Sequence, residues 1–222
     1  MSATTIRHPT FPLPQPALLR ALGKIVSYIF HPLFIPVYVS AYLIYIHPYL
    51  FATLDEKHQN LRFLSVVVIT AFFPALTVFL LWRLGFSTSI YLRTQKERIV
   101  PYISSIIYFF WAFYVSKNLP GSPAEMTFFF LGIFLTMSLA VMANNYYKIS
   151  MHAMAAGGAA AFMVLLGLVN SQTSGLAIAI AVFVAGLVCT SRLLVSDHSP
   201  YDVYWGLILG VICQMVACFF IM

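Results

Sequence analysis

Seven apolar runs, roughly 25–47, 63–83, 101–117, 125–143, 153–170, 174–191 and 203–221, alternate with short polar loops along this chain. Each is near the ~20 residues that carry a helix across a bilayer. No other feature constrains the fold as much. In hydrocarbon every backbone N–H and C=O must find its partner inside the protein, so an isolated apolar run crosses as a helix. A soluble fold fails on composition: 61% of the residues are hydrophobic and 8% charged, with mean hydropathy +0.90. Ordinary soluble domains carry about 25% charged residues. The expectation is an all-α, polytopic transmembrane helix bundle of six to seven spans, one integral membrane domain over 1–222.

The first run is the irregular one. His31-Pro32 and Pro36 would kink or break a helix, so it could be re-entrant. The third is short and opens at Pro101, a residue suited to a first helical turn. Residues 1–24 form a Pro-rich lead-in, with Pro at 9, 12, 14 and 16. It has neither a basic region leading into an apolar run nor a cleavage site, so it is read as a cytosolic or interfacial lead-in and not a signal peptide. Small residues gather at Ala153, Ala155, Ala156, Gly157, Gly158, Ala159, Ala160 and Ala161, which permits close helix approach. Cys189, Cys213 and Cys218 sit in apolar runs without metal or disulfide spacing.

The net charge is +6. Its cations lie in short loops, which points to membrane orientation, anionic lipid or phosphate and away from nucleic acid. Two spans separate the loop 84–100 from 144–152, and two more lead to 192–202. All three loops therefore face one side and can converge. If all seven runs cross, Arg7, Arg20, Lys24, Arg83, Arg93, Lys96, Arg98, Lys148 and Arg192 share that side, and charge bias favours the cytoplasm. If the first run does not cross, the N-terminus and the loops lie on opposite sides. The expected setting is a multi-pass membrane protein of a bacterial inner membrane.

The third loop reads Ser191-Arg192, then His198, Ser199, Pro200 and Asp202. Ionisable side chains at a membrane rim mark a functional site by default. Arg192 offers a planar fork for phosphate oxygens. His198 and Asp202, four apart, share a face if helical, so the acid can orient the imidazole for attack. The same residues also read as a helix start, with Ser199 as N-cap, Pro200 first in the helix and Asp202 the capping-box acid. That reading leaves Arg192 and His198 unexplained. In the second loop, Ser150 is an N-cap candidate and His152 can protonate a leaving oxygen. In the first, Arg93, Lys96 and Arg98 can clamp phosphate or serve as positive-side anchors, with Arg93 paired to Glu97.

Arg192-x5-His198-x3-Asp202, preceded by Ser191, matches in full the third signature of the type 2 phosphatidic acid phosphatase (PAP2) family, SR-x5-H-x3-D. Ser150-Met151-His152 resembles its second signature, PSGH, with Ile149 and Met151 in place of Pro and Gly. The first signature, K-x6-RP, is poorly kept: Tyr91 stands where Arg98 would require a lysine, and Val100 precedes Pro101 where an arginine is usual. The likeness covers roughly 91–222, a PAP2-like core, and seven spans is one more than usual for the family's membrane members. It implies a metal-independent lipid phosphatase without cofactor, working through a phosphohistidine. His198 would be the nucleophile, Asp202 its orienting acid and His152 the general acid. Arg192 and Ser150 would bind phosphate, and Arg98, Lys96 and Arg93 would take the place of the altered first clamp.

The implied partners are membrane lipids and a lipid phosphate: phosphatidic acid, phosphatidylglycerol phosphate or a polyprenyl diphosphate. Two alternatives stay open. One is a phosphotransferase using the same groups. The other is a lipid-phosphate carrier with a degraded clamp, against which the intact His198–Asp202 spacing argues.

Overall fold

The computed structural model describes residues 15–92, 94–144, 148–195 and 198–222. Most of the Pro-rich lead-in, with Arg7, lies outside the described residues, as does Arg93. Among the described residues, six helical stretches are long and apolar enough to cross a membrane. The first is α3 (Glu56–Val67), continuing through a π-helical turn (Val68–Phe72) into α4 (Phe73–Arg83). The others are α5 (Gln95–Asn118), α6 (Ala124–Ala143), α7 (Met151–Val169), α8 (Gly175–Val195) and α9 (Pro200–Ile221). The wide turn falls where Pro74 withholds its N–H from the preceding turn, a usual origin of such irregularity.

Residues 25–47 break where their prolines stand. Helix α1 (Ala17–Ile29) ends before His31-Pro32, and α2 (Ile35–Ala41) begins around Pro36 and runs into a π-helical turn, Tyr42–Ile46. The His31 ring lies 5.2 Å from that of His152, at the start of α7. At the other end, the His47 imidazole is 3.4 Å from the hydroxyl of Thr173, which follows α7. Residues 31–47 thus run the length of the bundle, though no one helix does. Helix α1 stays at the His152 end, where a Cβ on Gly23 would sit 3.2 Å from the Ser191 carbonyl and 3.3 Å from Val195.

The expected start of the third span is corrected. Helix α5 opens at Gln95, and Pro101 lies inside it. Thr94 and Glu97 form a reciprocal capping box, with Glu97 backbone N–H donating to Thr94 Oγ1 at 3.2 Å and Thr94 N–H to Glu97 Oε2 at 3.1 Å. That box satisfies orphan donors of the first turn and lets the helix begin in polar sequence.

The core sits between α6, α7 and α9. Phe128, Phe129, Phe130 and Phe162 are all 2% exposed or less, and the Phe129 and Phe162 rings are 4.6 Å apart. Gln214 crosses from α9 to donate to the Phe129 carbonyl at 3.1 Å, lying over Gly132. The small-residue stretch of α7 does what its composition implies, since Ala153, Ala156, Gly157 and Gly158 are buried. Its partner is a glycine pair on α9. A Cβ at Gly206 would lie 2.8 Å from the Ser150 carbonyl, and one at Gly210 2.2 Å from the Met154 carbonyl.

Backbone cannot yield as a flexible side chain does. Gly210→Val is therefore expected to cost at least the upper end of the roughly 1–3 kcal/mol of ordinary over-packing. It should lower the melting temperature and the monodisperse yield in detergent. Gly186→Ala, which meets nothing within 4 Å, should leave both near wild type. A Gly210→Val protein as stable as wild type would contradict the close crossing.

Candidate active site

The three polar loops meet at one end of the bundle, as counting crossings requires. Gln95 Nε2 donates to the Asn144 carbonyl at 2.8 Å, and Asn144 Nδ2 returns a bond to the Gln95 carbonyl at 3.0 Å. That pair ties the start of α5 to the end of α6. Ser150 N–H donates to the Asp202 carbonyl at 3.1 Å, tying the second loop to the third. Helices α5, α7 and α9 all begin here, so their N-terminal dipole ends point the same way, as suits a bound anion.

His198 lies between the second and third loops. Its Nδ1 is 3.0 Å from the Lys148 carbonyl. A carbonyl only accepts, so Nδ1 carries the proton and Nε2 keeps its lone pair. The ring is neutral because burial, and then the charges of Arg192, Arg98 and Lys148, push its pKa down to about 3. Those cations come one from each loop. The imidazole is thus neutral, with an unprotonated Nε2 in a positive field.

Asp202 does not take the orienting role expected of it. Its Oδ2 accepts from Ser199 N–H and Ser199 Oγ, both at 2.9 Å, and Ser199 Oγ accepts from Asp202 N–H at 3.2 Å. Asp202 closes the capping box of α9, and Lys148 main chain orients His198 in its place. The physical reason is proximity: Ser199 is the N-cap, three residues away, where capping-box geometry satisfies the helix's own donors.

Arg192 is 8% exposed and donates from Nη1 to Ser27 Oγ at 3.3 Å. His152 Nε2 lies 3.1 Å from the Ser27 carbonyl, so this nitrogen too bears a hydrogen. Ser150 is fully buried and caps α7, its Oγ accepting from Ala153 N–H at 3.4 Å. Arg98 is buried and donates from Nε to the Leu92 carbonyl at 3.0 Å. Leu92 itself has φ +47, a turn conformation that aims its carbonyl. Lys96, two residues earlier, is exposed. Arg93 lies outside the described residues, so neither its clamp role nor its pairing with Glu97 has a geometry here. Glu97 accepts from Thr94 and from Thr88, whose Oγ1 is at 2.6 Å.

The structure brings together His198, His152, Arg192 and Arg98, caps helices with Ser150 and Asp202, and leaves Lys96 at the surface. It adds residues that the motif reading passed over. Lys148 was visible as the lone cation of the second loop. His31 was visible as an ionisable group inside an apolar run, which is a signal in itself. Ser27 had no signal, because its importance comes from where α1 packs.

Residues 143–220 match the PAP2 superfamily. The match bears out the resemblance read from the motifs and includes His152, Arg192, His198 and Asp202. At the family level it supports a phosphatase-type function on lipid phosphates. No curated protein and no solved structure matches the chain.

The tautomer of His198 can be observed. Side-chain ¹⁵N spectra of histidine-labelled protein should show one imidazole that stays neutral, with hydrogen on Nδ1, from pH 7 down to pH 5, and whose signals vanish in His198→Gln. An unfolded histidine would take up a proton near the ordinary histidine value of 6.5 while the folded one does not. The group therefore weakens the fold as pH drops below 6.5, and acid melting should be shallower in His198→Gln. A His198 signal that titrates near the ordinary value of 6.5 would contradict the buried, cation-flanked setting.

Proposed function

We propose that this chain, whose residues 143–220 match the PAP2 superfamily, is a metal-independent membrane phosphatase that hydrolyses a lipid phosphate monoester or diphosphate through a phosphohistidine. The observation that carries the reading is His198: its Nδ1 is committed to the Lys148 carbonyl, 3.0 Å away, which leaves Nε2 as an aligned nucleophile. In the first step Nε2 of His198 forms a bond to phosphorus as the bond to the leaving oxygen breaks, and His152, doubly protonated beside the anionic phosphate, gives that oxygen the proton of its Nδ1 while its Nε2–H stays on the Ser27 carbonyl. In the second, His152 takes a proton from water, whose oxygen attacks phosphorus and releases Nε2. Arg192, Arg98 and Lys148, with the helix N-termini, stabilise charge on the equatorial oxygens; such preorganised donors typically contribute the largest catalytic share. The chemistry needs no Lewis acid. Among the described acids, Asp55, Glu56 and Glu125 belong to the far end of the bundle, and Glu97 and Asp202 serve capping boxes. The excess of cations at the site end favours a cytoplasmic site.

The test is phosphate release by the purified full chain from phosphatidic acid, phosphatidylglycerol phosphate and a polyprenyl diphosphate, with and without EDTA. Turnover on at least one should survive EDTA and fall with vanadate, and His198→Ala should lose roughly a thousandfold or more. Activity abolished by chelation and restored by Mg²⁺ would exclude the mechanism. Release from none of the three lipids would exclude the function.

The cations should divide by burial. Arg98→Ala is expected to lower turnover by roughly 10²-fold, as removal of a charge-stabilising donor does. Lys96→Ala should leave turnover per folded molecule nearly unchanged. The reverse order would mean that the first loop presents a different cation to the phosphate.

A further inference from the structure

Four hydrogen bonds, three of them to Ser27, link the site to α1, far outside the stretch that matches the superfamily. Arg192 Nη1 donates to Ser27 Oγ at 3.3 Å. Ser27 Oγ lies 3.2 Å from Ser191 Oγ, and Ser191 Oγ donates to the Val188 carbonyl at 2.7 Å. The direction of this chain is fixed. Ser191 has one hydroxyl hydrogen and gives it to Val188, so it can only accept from Ser27. The order is Arg192 to Ser27 to Ser191 to the Val188 carbonyl, with every hydroxyl used once as donor and once as acceptor. The fourth bond is main-chain: the Ser27 carbonyl accepts from His152 Nε2 at 3.1 Å. Ser27 is 7% exposed, and the helix that carries it is pressed on α8 at Gly23.

We propose that Ser27 is a positioning residue of the phosphate site, its hydroxyl fixing the Arg192 guanidinium and its carbonyl fixing the His152 ring. The inference rests on the phosphatase reading above. A planar guanidinium on a long side chain loses much rotamer freedom when it must align its fork with two oxygens of a tetrahedral phosphate. Anchoring one of its N–H groups to a buried hydroxyl removes part of that cost before substrate arrives. A single short segment thereby couples the group that holds the phosphoryl oxygens to the group that protonates the leaving oxygen.

The experiment measures kcat and KM of the full chain for the best lipid phosphate in wild type, Ser27→Ala, Ser27→Thr, Arg192→Lys and the Ser27→Ala/Arg192→Lys double variant. Melting temperatures are recorded for each. Ser27→Ala should lose roughly tenfold in kcat/KM, the scale on which orienting partners act elsewhere, with its melt close to wild type. Ser27→Thr, which restores the hydroxyl, should recover most of that loss. In the Arg192→Lys background the Ser27→Ala change should have little further effect, because lysine has no planar fork to orient. If threonine melts lower, the cycle with Arg192→Lys decides alone. Wild-type or faster turnover in Ser27→Ala, or an equal loss in both backgrounds, would overturn the positioning role while leaving the phosphatase reading intact. Absence of turnover in wild type would overturn both.

Discussion

The Met154 carbonyl of α7 lies only 2.2 Å from where a Cβ at position 210 of α9 would stand, and the Ser150 carbonyl 2.8 Å from one at position 206. Apolar attraction does little between helices already in lipid, so close backbone approach and dispersion must hold them. These two glycines allow it. The site inherits its dimensions from that crossing. With α7 and α9 this near, Ser150 N–H reaches the Asp202 carbonyl at 3.1 Å, and the Lys148 carbonyl comes within 3.0 Å of His198. The imidazole is oriented by main chain, and main chain is where the crossing put it.

Much of this was legible in order along the sequence. The apolar runs gave the spans, their parity gave the shared loop face, and the serine-proline-acid pattern at 199–202 gave the start of α9. The prolines at 32 and 36 marked where the first run breaks. Two readings went astray because local chemistry outbid the apolar pattern. Pro101 looked like a helix start, yet Thr94 and Glu97 cap the helix two turns earlier, in polar sequence that hydropathy does not count. Asp202 was at the right spacing for His198, but its own N-cap was nearer. Ser27 was beyond reach in principle: a serine on an amphipathic helix carries no mark of the guanidinium it will meet 165 positions later.

The N-terminal segment changes how the site is bounded. Ser27 and His31 bring polar groups to Arg192 and His152 from outside the matched stretch, while Leu18, Leu22, Ile25, Tyr28 and Ile29 of the same neighbourhood stay exposed. Helix α1 therefore presents an apolar surface to its surroundings and a polar edge to the site. This division suits a helix at a membrane interface, where the two faces see different solvents.

The place of α9 in the chain also has a consequence in time. It supplies His198 at its start, the glycines against which α7 closes, and Gln214, which lies over Gly132 of α6. All of these partners are made earlier. While α6, α7 and α8 are already in the bilayer, Arg192 and His152 stand at the rim without His198 beside them. Assembly of the site is thus deferred to the insertion of one late helix, and a chain stalled before that step holds the cations of the first two loops and Arg192 without the imidazole that α9 brings to them.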